Sequence, residues 1–153
     1  MTLQTDQIAS IRETWALAAQ NGPMLARLFY GRLFRIAPQT RALFAEDTGP
    51  QERKLTATLA FIVDNLDRPE VLRPAAHALA ARHVGYGVTA AQYAPVGEAL
   101  TWALANLLGP RFDAEARAAW SAVYDALSAD MVAVAYGEGA APSRARRGTY
   151  TEG

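Results

Sequence analysis

Leu72, Ala76, Leu79 and His83 recur every three or four residues, the repeat of one face of an α-helix. The last of them is an imidazole on a stripe that is otherwise hydrocarbon. Gly85 and Gly87 follow at once and end that helix, and Pro74 predicts an interruption inside it. A histidine directed into the interior near a helix end, in a chain without cysteine, raises the question of what it binds.

The flanking chain reads as helix after helix, and nothing alternates at period two for long enough to form a strand. Ile8, Ile11 and Trp15 mark a helix over residues 5–20 with Thr5 as its N-cap. Asn21-Gly22-Pro23 breaks it. The next helix runs from Pro23 to Ala37 with Arg27, Gly31 and Arg35 in water and Ala26, Tyr30, Leu33, Phe34 and Ala37 on the dry side. Pro38 stops it, a short turn covers residues 39–44, and residues 45–50 form a loop.

Gln51, Leu55, Leu59, Ile62 and Leu66 lie on one stripe of a further helix that Asp67-Arg68-Pro69 ends. After the His83 helix, Thr89 and Gln92 form a capping box. They open a helix with the stripe Tyr93, Val96, Leu100, Leu104 and Leu107, closed by Gly109-Pro110. The last helix starts near Asp113 and buries Ala116, Trp120, Val123, Leu127, Met131 and Val134. The fold class is therefore all-α. Its six to eight helices of mixed length suit packing at steep angles around a pocket rather than an up-down bundle. The composition turns to Gly, Ala, Pro, Ser and Arg from Gly137, so the chain divides into a folded domain, 1–136, and a flexible tail, 137–153. In that tail Arg144, Arg146 and Arg147 make a small basic cluster, read as solvated.

Composition removes several function classes. Lys plus Arg and Asp plus Glu are 15 each, so no net field draws nucleic acid or an anionic membrane. No window is apolar enough for a transmembrane segment. The first six residues are neither basic nor apolar, so a cytoplasmic location is expected. Without cysteine there is no disulfide, iron–sulfur ligation or covalent haem attachment. No Ser–His–Asp set, phosphate loop or zinc spacing appears. His77, six residues before His83, falls on another face and reads as a surface histidine.

Three polar groups fall on faces that should be dry: Tyr30, Gln51 and His83. Each has a plain explanation. A core histidine or tyrosine can bond a nearby carbonyl, and Gln51 opens its helix and can face water. Their register says more. Phe44 lies fourteen residues after Tyr30 and six after Pro38. Gln51 precedes Leu55 by one turn, His83 follows Gln51 by thirty-two residues, and Tyr93 follows His83 by ten. With the strings FYGRLF, RHVGYGV and QYAPVGEAL, the pattern resembles the globin family over residues 5–134. Within it, the similarity is greatest to bacterial single-domain haemoglobins and the haem domain of flavohaemoglobins.

The resemblance implies a globin fold around a pocket for haem b, iron protoporphyrin IX. It makes His83 the metal ligand, stacks Phe44 on the porphyrin, and lines a dry slot with Leu55, Leu79, Val88, Val96 and Leu100. Arg82 and Lys54 fall near the propionates, and Tyr93 pairs with the proximal histidine. Tyr30 and Gln51 face the bound gas: oxygen, nitric oxide or another diatomic. A phenol O–H aimed at oxygen of partial negative charge is worth about 1.5–3 kcal/mol. Such a pair implies slow release and suits scavenging, sensing or conversion of nitric oxide to nitrate.

Three departures from the family qualify this. The interval from Phe44 to Gln51 is only seven residues, and a slip of register would bring Glu52 or Thr56 into the pocket. The acid that flavohaemoglobins set near the proximal histidine has no counterpart near Ala135, and the nearest acid is Glu138. Nothing here supplies a reductase, so turnover calls for a separate flavin reductase. The alternative within the family is a sensor or electron-transfer globin with Lys54 or Tyr30 as an internal sixth ligand. Outside it stands a helical interaction domain without cofactor. The sequence leaves a homodimer open.

Overall fold

A computed structural model describes residues 3–137. Among them are six α-helices: α1 (Thr5–Ala19), α2 (Gly22–Ile36), α3 (Gly49–Asp64), α4 (Pro69–Gly85), α5 (Tyr93–Leu108) and α6 (Ala114–Tyr136). Short 3₁₀ turns at Pro38–Leu43, Ala90–Gln92 and Gly109–Arg111 join them. Glu138 and the arginines of the tail lie outside the described residues.

Local chemistry sets most boundaries. Pro23, Pro38, Pro50 and Pro69 each stand in a first turn, where the missing N–H costs nothing. Thr89 and Gln92 form the capping box before α5, and the Asp113 carboxylate accepts from the Ala116 N–H to start α6. Packing then follows the apolar faces. α2 lies along α5, α4 along α6, and α1 against α6 and α3. The Trp120 indole donates to the Thr14 hydroxyl at 2.8 Å, closing α6 onto α1. Gly97 lets α5 and α6 meet closely, since a Cβ there would stand 2.7 Å from the Tyr124 ring.

Several expectations are corrected. Gln4, not Thr5, caps α1, its N–H accepted by the Gln7 amide oxygen at 2.9 Å. α4 is uninterrupted at Pro74. That proline stands in the second turn, and the carbonyl it deprives of a partner, that of Glu70, is on an exposed residue. α3 stops at Asp64, before Leu66, because its last carbonyls are claimed from elsewhere. The Asn65 amide donates to the Phe61 carbonyl at 2.8 Å, and Arg12 of α1 donates to the carbonyls of Val63 and Asp64 at 3.2 and 3.3 Å. Val134 is 50 % exposed and Val132 is buried instead, because the end of α6 turns its buried side toward α4.

Candidate functional site

The interior consists of two apolar clusters, and the candidate residues divide between them. Tyr30 and Leu100 belong to the first, with Phe34, Phe44, Leu55 and Val96 packed against it. Tyr93 belongs to the second, with Leu79 and Val88 packed against it. Leu127 touches both. Between α3 and α4 lies a cavity of about 300 Å³, walled by Phe61 and Ile62 on one side and Leu72, Ala76, Leu79 and Arg82 on the other. Tyr30, Phe44 and His83 stand outside this cavity, so of the expected residues only Leu79 and Arg82 line it.

His83 sits in the last turn of α4, half-buried, with Nδ1 2.9 Å from the Leu79 carbonyl one turn back. A carbonyl only accepts, so Nδ1 carries the proton and Nε2 keeps a free lone pair. Burial holds the imidazole below its ordinary pKa, and the charge of Arg82 adds to this against the Leu79 bond. This favours the neutral ring, whose unprotonated nitrogen can accept a hydrogen bond or coordinate a metal. Tyr93, 4 % exposed, places its ring 6.0 Å from the imidazole, and its hydroxyl has no partner among the described residues.

On the other cluster, Tyr30 is 7 % exposed and boxed by aromatic rings, with centroids at 4.8 Å (Phe29), 5.3 Å (Phe44) and 5.9 Å (Phe34). Its hydroxyl donates to the Gln51 backbone carbonyl at 3.3 Å, not to the side-chain amide. Burial, with the charge of Glu52, pushes the phenol up to about 12, so it is a donor at every ordinary pH. The two residues a slip would bring in are engaged locally. Glu52 accepts from Thr48 at 3.1 Å, and the Thr56 hydroxyl bonds back to the Arg53 carbonyl at 3.0 Å.

The clipped loop before α3 is held by Arg41, which donates to the carbonyls of Phe44, Ala45 and Glu46 at 3.3, 3.0 and 3.1 Å. Lys54 and Arg82 are exposed. His77 lies at the surface as read, its side chain 39 % exposed and its Nε2 3.3 Å from the Asp130 carboxylate of α6. Two further residues escaped the sequence analysis. The Tyr124 hydroxyl donates to the Tyr93 carbonyl, and the Tyr136 hydroxyl donates to the Val88 carbonyl. Both bonds join residues far apart in the chain, so no local periodicity signals them.

Among the described residues no three His, Cys, Asp or Glu side chains converge. A multidentate protein site for a bare ion is therefore not formed there. One half-buried imidazole beside Tyr93 suits instead a prosthetic group that brings its other iron ligands with it. Among the described residues no helix is long and apolar enough to cross a membrane.

Comparison with known proteins agrees. The family model described as Globin matches residues 27–131. The flavohemoprotein of Bordetella parapertussis is 33% identical over 123 residues, covering 78% of this chain and 31% of that protein. The chain thus spans about a third of the length of such relatives. A bacterial globin from Campylobacter jejuni superposes with a TM-score of 0.76 at 26% identity, over 86% of this chain and 96% of that one. An engineered carbene transferase, made from a nitric oxide dioxygenase candidate of Rhodothermus marinus, superposes with a TM-score of 0.74 at 28% identity, over 83% and 89%.

Proposed function

The chain belongs to the globin family, and we propose that it holds one haem b between its two apolar clusters and binds oxygen and other diatomic gases there. The observation that carries this reading is the His83 tautomer. Nδ1 is satisfied by Leu79, and Nε2 is left with an unshared lone pair free to coordinate iron. Haem, when bound, supplies an iron with one exchangeable position for a small gas.

The chain's own residues do the rest. Phe44, Leu55, Leu79, Val88, Val96 and Leu100 keep water from the slot, and Tyr93 backs the His83 ring. Arg82 on the cavity wall and Lys54 on α3 are the cations offered to the propionates. Tyr30, protonated to about 12, gives up its long bond to the Gln51 carbonyl and donates to the gas. Gln51, at the head of α3, sets where that phenol rests and adds a second donor. Slow release by such a pair suits conversion of nitric oxide to nitrate, with electrons delivered by a flavin reductase. The kinship with flavohemoproteins supports that activity.

Haem reconstitution of the purified protein tests the reading. A Soret band with a five-coordinate ferrous spectrum that changes on oxygen addition is expected, and His83→Ala loses the haem or its normal ligation. No Soret band after reconstitution, or a His83→Ala spectrum like that of the parent, overturns it. Sharp low-spin bands without added ligand point instead to Lys54 or Tyr30 as an internal sixth ligand.

A further inference from the structure

We infer that Tyr136 is a positioning residue for the His83 imidazole, acting through the backbone of Val88; the inference rests on the haem reading above. The turn after His83 closes on itself. Both the Val88 and the Tyr86 N–H groups donate to the His83 carbonyl, at 3.0 and 3.1 Å. Gly87, at φ 89°, provides the left-handed residue that this reversal needs. The turn has little side-chain anchorage of its own, since Val84, Gly85 and Tyr86 are all exposed. Val88 is half-buried, and its carbonyl receives the Tyr136 hydroxyl from the final turn of α6. That is the one side-chain hydrogen bond reaching residues 84–88 among the described residues.

Residue 88 is thus pinned from both ends of its own peptide framework. Its N–H ties it to the ligand residue, and its C=O ties it to a helix packed along α4. Tyr136 also packs against the cluster that contains Tyr93, so the latch and the ring behind His83 share one apolar seat. Without the latch, the last turn of α4 keeps only its internal bonds, and helix ends held so fray. The His83 ring then samples a wider range of tilts about the Leu79 bond.

The experiment uses the haem-loaded protein. The iron–histidine stretching band of the ferrous, ligand-free form is recorded by resonance Raman, and haem release is timed into excess acceptor apoprotein. Tyr136→Phe keeps the ring and removes only the hydroxyl. The band is expected to shift and broaden, and haem release to rise roughly two- to tenfold, the factor carried by one neutral hydrogen bond. Thr14→Val, which removes the acceptor of the Trp120 indole in the other cluster, is expected to lower the unfolding midpoint but leave band and release rate unchanged.

A parental band and release rate in Tyr136→Phe overturn the inference while the haem reading stands. A wild-type protein with no iron–histidine band overturns the haem reading, and the inference with it. If Tyr136→Phe does not fold, Gly87→Ala strains the same turn and leaves the Tyr136 hydroxyl in place. It is expected to move both readouts in the same direction, and no movement refutes the latch.

Discussion

Replacing Tyr30 by phenylalanine separates its two roles, because the ring and the hydroxyl have different neighbours. The ring is held by Phe29, Phe34 and Phe44, contacts that phenylalanine retains in full. The hydroxyl has one bond, to the Gln51 carbonyl, and 3.3 Å is long for an O–H donor. Its loss therefore costs about 0.5 kcal/mol, the low end for a neutral hydrogen bond. Toward bound oxygen the same hydroxyl gains about 1.5–3 kcal/mol. Leaving the carbonyl to do so reduces the net gain to about 1–2.5 kcal/mol, or roughly five- to seventyfold in oxygen dissociation rate. Tyr30→Phe is thus expected to release oxygen faster by that factor in a stopped-flow displacement with carbon monoxide, and its thermal midpoint stays near that of the parent. An unchanged release rate refutes the reasoning and leaves Tyr30 as a packing residue. A large fall in midpoint refutes the claim that packing and hydrogen bonding are separable here.

Gly97→Ala places a Cβ 2.7 Å from Cε2 of Tyr124, whose hydroxyl is tied to the Tyr93 carbonyl and so resists retreat. Overpacking of this kind costs about 1–3 kcal/mol, so calorimetry should show the midpoint lower by roughly 2–12 °C, and no change would mean that the ring swings freely. Stability should also fall in alkali. Burial raises Tyr30 from 10.0 to about 12 and lifts Tyr93 and Tyr124 still further, so the folded state keeps protons that the unfolded state releases. The contribution from Tyr30 is complete below pH 10 and lost as pH rises through about 12. Urea midpoints measured across that window should decline less steeply in Tyr30→Phe, and an identical decline would show that Tyr30 does not titrate differently on folding.

Helix positions were legible because their signals are local. Pro23, Pro69, the Thr89–Gln92 box and the Asp113 cap act within one turn, and the stripe through Leu72, Ala76, Leu79 and His83 is a property of consecutive residues. Apart from the Thr5 cap and Pro74, the differences arose where a distant group intervened. Arg12 of α1 claims the carbonyls at the end of α3, which ends that helix before Leu66. The end of α6 turns toward α4, which exposes Val134 and buries Val132.

The same division holds at the site. Periodicity put Tyr30, Gln51 and His83 on faces expected to be dry, and with Phe44 their spacing and the strings around them resemble those of a globin. Folding decided what each polar atom meets. It gave Tyr30 the carbonyl of Gln51 rather than its amide, tied His83 Nδ1 to Leu79, and set Tyr136 against Val88 from 48 residues away. A hydrogen bond depends on a few tenths of an ångström and on direction, and these follow from how helices cross rather than from the order of residues within them.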